Sequence, residues 1–423
     1  MKVMVVGAGG REHALAWKLA KSARVSHVYI APGNPGTAEI GTNVPIAVDN
    51  ISDLAEFALS KQVDITVVGP EQPLALGIAD LFRQKALLCF GPGMHAAQVE
   101  TSKAFAKELM AKNGVPTAEF RVFSDAAEAL LHIRSSSPPY VVKADGLAAG
   151  KGVVIAHSRD HAEEAVREAM IKRVFGEAGN NVVIEQFLEG REVSVMAVCN
   201  GRSYCVLPSS QDHKAAYDGD EGPNTGGMGA YSPVPWYRSE HEDIARDKVI
   251  EPVLWALYKQ GMPYTGVLYC GLMLTDEGPK VLEINARAGD PETQAIMPVL
   301  DIDLLELVEA AVRGKPGEFT PSAASSAVCV VMASHGYPGK YDKGVPITGL
   351  DEARGHDCTE VFHAGTKLEA GRLVTSGGRV LGVTSWAEEL STARDRAYAA
   401  LGKIGFSGAH FRKDIGKKGL MNA

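Results

Sequence analysis

The chain has 423 residues, 45% hydrophobic and 22% charged, with a formal net charge of −8. That length exceeds one ordinary core and predicts about two to four domains. The acidic balance without a basic block excludes a nucleic-acid surface, and no apolar run approaches the ~18 residues that cross a bilayer as a helix. The six cysteines form no CxxC pair and mostly lie in apolar runs, so they read as reduced thiols. With an opening apolar run too short for a signal peptide, a cytoplasmic protein is expected.

Residues 2–6, KVMVV, predict a buried strand, followed by Gly7-Ala8-Gly9-Gly10 and helical spacing from Arg11 to Ala20. This opening invites a dinucleotide fingerprint, but Glu12 stands at the third glycine position. The next strand, His27 to Ile30, runs into APGNPG with no acid to hold an adenosine ribose. A helix N-terminus can still hold a single phosphate, with Arg11 assisting; a purely structural turn is the other reading. Asp64–Val68 and Leu87–Phe90 repeat the pattern and end in Gly69-Pro70-Glu71 and Gly91-Pro92-Gly93. Such strand ends line the ligand-binding edge of an open parallel sheet. Asn34, Gly36 and Glu71 fall on that edge, where Glu71 serves either sugar hydroxyls or a helix N-terminus.

A helix is predicted from Thr101-Ser102-Lys103 to about Lys112, stopped by Asn113-Gly114-Val115-Pro116. A lysine in a first helical turn opposes the macrodipole, which points to an anion nearby. Residues 121 to 190 read as a small α/β unit. It contains the stretch KADGLAAGKGVVIA from Lys143 to Ala156, a strand, glycine-rich loop and strand. Glycines let backbone N–H groups approach an anion, and Lys151 adds a point charge. The G-x-x-x-G-K-G spacing is one residue short of a P-loop and is followed by a strand, so a hairpin lid is expected.

Between 209 and 233 lies a long polar, glycine-rich stretch, read as a functional loop. Its Asp212, His213, Lys214, Asp218, Asp220 and Asn224 suit a small polar substrate. A helix is predicted over about 240–260. A buried run from Thr265 to Leu274 follows, then a strand from Lys280 to Asn285. Residues two apart on a strand share a face. Glu283 and Asn285 therefore project together as oxygen ligands suited to Mg²⁺. The run Ala286-Arg287-Ala288-Gly289-Asp290-Pro291-Glu292 packs a cation, two acids and a glycine into the loop beyond. The last ~98 residues read as β-rich, with a helix from about Ala387 to Leu401; Arg379 there can reach a substrate from one side.

Lys103 in SKAF, Lys143 in VVKADG, the AAGKG loop, EQFL at 185–188 and EIN at 283–285 resemble the ATP-grasp superfamily. GGREHA at 9–14, APGNPGT at 31–37, GPE at 69–71 and SQDHK at 210–214 narrow the resemblance. So do GPNTGGMGAYSP at 222–233, RAGDPETQ at 287–294 and FHAGTK at 362–367. Together they resemble the phosphoribosylamine–glycine ligase (glycinamide ribonucleotide synthetase) family over nearly the whole chain. The resemblance implies an α/β protein in three parts. They are an N-terminal open parallel domain (1–100), an ATP-grasp domain (101–325, with a mobile lid at about 121–190) and a β-rich C-terminal domain (326–423).

It also implies ATP and Mg²⁺ or Mn²⁺, with glycine and 5-phosphoribosylamine as substrates, no nucleic-acid or membrane partner, and a monomer. Lys103, Lys143, Gly150, Lys151 and Gly152 are implied to hold ATP phosphates; Glu185, Phe187 and Leu188 the adenine; Glu192 the ribose. Glu283 and Asn285 are the implied metal ligands. Asp212, Lys214, Arg287 and Gly289 are implied at the glycine and acyl-phosphate side, and Gly9, Gly10, Asn34 and Glu71 at the phosphoribosyl side. In this group an acid is usual on the strand before the metal strand, and an aromatic before GDPE. Here that strand is LYCGLML and residue 288 is alanine.

Overall fold

A computed structural model describes residues 1–147 and 152–421. The N-terminal sheet is parallel, in the order Thr42–Asn43, His27–Pro32, Lys2–Gly7, Ile65–Val68, Cys89–Phe90. Val3, Met4, Val5 and Val6 are fully buried. Side chains on both faces of that strand are covered, which is why it reads as a continuous apolar run without alternation. Helix Gly10–Ala20 packs directly against it.

The second unit is the expected lid. Its antiparallel sheet runs Phe120–Phe123, Val182–Gln186, Tyr140–Ala144, Val153–Ala156. Helices Ala126–Ser135 and Arg159–Val166 close a separate small core of Ala129, Ile133, Val142, Ala162, Val166 and neighbours. Asp125 and Ser158 cap the two helices by accepting backbone N–H groups.

A third sheet orders Ser203–Val206, Arg191–Asn200, Thr265–Thr275, Gly278–Asn285, all antiparallel. It carries Glu283 and Asn285. The fourth sheet corrects a sequence expectation. Its order is Gln211–Asp212, Gly229–Ser232, Ser326–Ala333, Arg379–Ala387, Thr359–His363. The polar stretch 209–233 is therefore no free loop. It supplies two strands to the C-terminal sheet and a further hairpin, Ala215–Tyr217 with Glu221–Asn224. Its glycines and polar residues masked short strands, one of which, Gly229–Ser232, pairs with residues about a hundred positions away. The helix predicted from about Ala387 begins later than expected, at Leu390, because the strand before it continues to Ala387. The 101–112 segment breaks at Ser102, whose extended backbone and side chain cap the helix Lys103–Lys112.

Candidate active site

Lys143 ties the lid sheet directly to the sheet that carries Glu283 and Asn285, and Lys103 stands nearby. Lys143 leaves the lid strand Tyr140–Ala144 and donates to the Leu282 carbonyl at 2.9 Å. It also pairs with Glu185 Oε1 at 2.8 Å. Lys103 donates to the Gly146 carbonyl at 2.8 Å. Burial lowers the Lys103 pKa, with Glu283 opposing and Lys143 assisting that shift. The anion that its place in the first helical turn demanded is Asp145. That carboxylate accepts from Ser102 Oγ and the Ala104 N–H, both at 3.1 Å, at the helix N-terminus. Gly150 and Lys151 lie outside the described residues. Gly152 closes the hairpin by accepting the Ala144 N–H at 2.8 Å.

Glu283 and Asn285 lie two apart on the strand Gly278–Asn285, both half-buried. Gly271 stands opposite Glu283 in the register. Lys214 Nζ approaches Glu283 Oε1 at 3.1 Å. Lys214 above all, against the cost of burial, and then Lys143 and Arg287 hold the Glu283 carboxyl down at about 2. This is an ionised carboxylate beside an amide, hard oxygen donors that suit Mg²⁺. No cluster of three or more His, Cys, Asp or Glu able to hold a metal exists among the described residues. A divalent ion here would therefore complete its shell with water and a ligand's phosphates.

Glu192, Ser194, Asp212, Lys214, Tyr269 and Gly271 line a small polar cavity. Two of them bond to buried Glu292, which accepts from Tyr269 Oη at 2.9 Å and Ser194 Oγ at 3.1 Å. Burial, reinforced by Glu292, pushes the Asp212 carboxyl well above its usual range. Burial disfavours the Lys214 ammonium, but Glu283 and the surrounding acids outweigh it and raise its pKa. The other polar residues of this stretch face elsewhere. His213 turns its ring to the Gly229 carbonyl, and burial brings its pKa down to about 4. Asp218 and Asp220 are taken by the C-terminal tail, through the Lys413 N–H and Arg412.

Arg287 joins the parts. It pairs with Glu100 at 2.8 Å and with Glu71 at 3.4 Å. Burial pushes the Glu100 pKa up; Arg287 opposes that rise. Glu71 stays below its usual range despite burial because of Arg287 and Arg11. Glu71, expected at the sugar hydroxyls or a helix N-terminus, is thus partly committed to Arg287. Gly289 is buried, and a Cβ there would sit 2.4 Å from Glu292 Oε2, so only glycine allows this approach.

The expected phosphate turn at Gly9 and Gly10 is filled from within. Glu12 is 2% exposed, and its Oε2 accepts the Gly9 N–H at 2.6 Å. Its other oxygen pairs with Arg11, and a Cβ on Gly69 would lie 2.1 Å from it. A carboxylate already holds the anion position at Gly9, which also removes the dinucleotide reading. Asn34 is committed as well, donating to the carbonyls of Ala8 and His363 at 2.9 Å. The motifs at 9–14, 31–37 and 362–367 nevertheless meet, for His363 N–H donates to His13 Nδ1 at 2.8 Å.

Of the adenine set, Leu188 is buried beside Ala118 and Met273, while Phe187 is half-buried against His157. Glu192 is exposed at the cleft. The Glu185 side chain is not free for adenine, because Lys107 and Lys143 hold both its oxygens. Sequence reasoning missed Lys107, Glu100 and Asp145, and saw Glu292 only as one acid of the run 286–292. Lys107 had a signal, since it lies one helical turn beyond Lys103. Arg379 was seen only as a one-sided contact. It donates to the Gly226 carbonyl and pairs with Asp290 at 3.0 Å, clamping two loops together.

A small antiparallel lid facing a strand with paired oxygen ligands, lysines between them, defines an ATP-grasp protein. The description "Phosphoribosylglycinamide synthetase" covers three matching family models: an N domain over residues 1–100, an ATP-grasp (A) domain over 101–293 and a C domain over 327–418. The chain belongs to the phosphoribosylglycinamide synthetase family. It is 49% identical over 424 residues to the phosphoribosylamine–glycine ligase of Allochromatium vinosum, covering 99% of each chain. It is also 49% identical to the trifunctional purine biosynthetic protein adenosine-3 of Gallus gallus, covering 99% of this chain but 42% of that one. The solved structure of phosphoribosylamine–glycine ligase from Thermotoga maritima superposes with a TM-score of 0.86 at 37% identity, covering 98% of this chain and all of that one.

Proposed function

We propose that this chain is an ATP-dependent ligase of purine biosynthesis. It joins glycine to 5-phosphoribosylamine through glycyl phosphate and releases glycinamide ribonucleotide, ADP and phosphate. The observation that carries this reading is the convergence of Lys103, Lys143 and Lys214 on the face of Glu283 and Asn285. Phosphoryl transfer needs positioning and charge neutralisation rather than a protein nucleophile. Three cations and a pair of hard oxygen donors meet that need. Bound Mg²⁺ or Mn²⁺ would neutralise charge developing on the transferred phosphoryl group.

Lys103 and Lys143 hold the ATP phosphates, and the hinge 185–188 presents its backbone to adenine. Lys214 orients the glycine carboxylate toward the γ-phosphate. Asp212 and Ser194 line the other end of the small cavity, with Glu292 accepting from Ser194, and acidic and hydroxyl groups suit the glycine ammonium. The phosphoribosyl substrate enters along the N-terminal strand ends, with Glu71 and Arg287 at its inner limit. The lid, residues ~121–190 of a domain spanning 101–325, shields the acyl phosphate from water. The test is ADP release from ATP, Mg²⁺ and phosphoribosylamine. It should appear only when glycine is added, and release driven by bicarbonate instead overturns the assignment.

A further inference from the structure

Lys143, one of the two lysines read as holding phosphates, belongs to a set of three buried charges. Lys107, Glu185 and Lys143 have side chains 3%, 2% and 9% exposed. Lys107 Nζ meets Glu185 Oε2 at 2.7 Å, and Lys143 Nζ meets Glu185 Oε1 at 2.8 Å. Breaking such a buried set is costly, because the group left behind keeps its charge without a partner.

The bonds beyond the triad show what it holds. Lys143 donates to the carbonyl of Leu282 at 2.9 Å. Lys107 donates to Thr117 Oγ1 at 2.7 Å, and Thr117 donates to the carbonyl of Val281 at 2.7 Å. Both arms therefore end on consecutive carbonyls of the strand that carries Glu283. An ammonium has three protons. Lys143 uses one on Leu282 and meets Glu185 as a charge pair. Glu185, held by Lys107 from the other side, fixes where the ammonium sits.

We propose that Lys107 is a positioning residue for the phosphate site: through Glu185 it holds the Lys143 ammonium in register with the strand bearing Glu283. This rests on the reading that the cleft binds ATP. Lys107 touches no substrate. Its charge also balances Glu185, so that Lys143 keeps its own charge for the phosphates. Without Lys107, Glu185 draws on Lys143 alone, and the cluster turned toward the nucleotide loses a net positive charge.

The test uses the whole chain with Lys107→Met and Lys107→Arg, reading ADP affinity, kcat and their pH dependence. Removing an outer partner of this kind lowers activity roughly 10–100-fold. Lys107→Met is expected to lower kcat and ADP affinity in that range, and Lys107→Arg to recover most of both. The charged groups facing Lys107 are Glu185 on one lid strand and Lys143 on the next. Burial brings its pKa down to about 8 against the pull of Glu185. The alkaline fall in kcat should therefore move upward in Lys107→Arg, which a merely structural pair would not cause. A Lys107→Met protein with kcat and ADP affinity within twofold of the unaltered chain overturns the proposal. So does an alkaline limb that Lys107→Arg leaves in place. If the unaltered chain releases no ADP with glycine, the activity reading fails by itself, and the ADP affinities still decide the triad.

Discussion

Replacing Glu283 by glutamine removes one charge and almost no volume. In the folded chain its carboxyl titrates at about 2 instead of the ordinary 4.5, because Lys214, then Lys143 and Arg287, outweigh the cost of burial. A drop of that size corresponds to about 3 kcal/mol. The side chain is 36% exposed, so solvent screening takes about half, leaving ~1.5–2 kcal/mol. This group's folded pKa is depressed, so its contribution is full above pH 4.5 and is lost as the pH falls through about 2. The assay is denaturant unfolding of both proteins without nucleotide or metal, at pH 7 and pH 3. Glu283→Gln should be weaker at pH 7 by ~1.5–2 kcal/mol, with under about half of that gap remaining at pH 3. In the glycine-dependent assay, loss of a charge that opposes the transferred phosphoryl group through its metal should lower kcat at least ~10²-fold. A stability gap that widens toward acid refutes the electrostatic reasoning. Near-wild-type turnover at saturating Mg²⁺ refutes the metal assignment.

Arg379→Ala should strip Asp290 of its guanidinium partner and free the 226–227 loop, costing about 3–5 kcal/mol; a melting temperature within a degree of the parent contradicts the clamp. Glu12→Ala leaves Arg11 and the Gly9 N–H without their carboxylate and should destabilise by ~1–3 kcal/mol. NADH titrated into the unaltered chain should show no binding, and saturable binding contradicts a filled glycine turn. Burial first, then His363 and Arg354, drives the His13 pKa well down, and burial brings His363 to about 4. Both stay neutral in the folded chain where the unfolded chain takes up protons. Their contribution is full above ~6.5 and is lost as the pH falls toward 4. His363→Gln should flatten the pH dependence of stability in that window; an unchanged slope counts against it.

Much of the site was legible without a structure. Strand alternation put Glu283 and Asn285 on one face, and the glycine-and-lysine hairpin marked the lid, because both signals lie within a few residues of chain. Glu12 at the third glycine position announced that the first turn would not take a dinucleotide. The sequence also carried the order of motifs that makes the family evident. Which groups neutralise which was decided only by the tertiary fold. Asp145 at the N-terminus of the Lys103 helix, Glu100 and Glu71 on Arg287, and Lys107 on Glu185 are pairs from distant segments. A charge on one strand says nothing about the charge another strand will bring beside it. The stretch 209–233 looked like a loop because its strands are short and its strand Gly229–Ser232 is anchored on residues 327–330, and no local pattern records a partner that far along the chain.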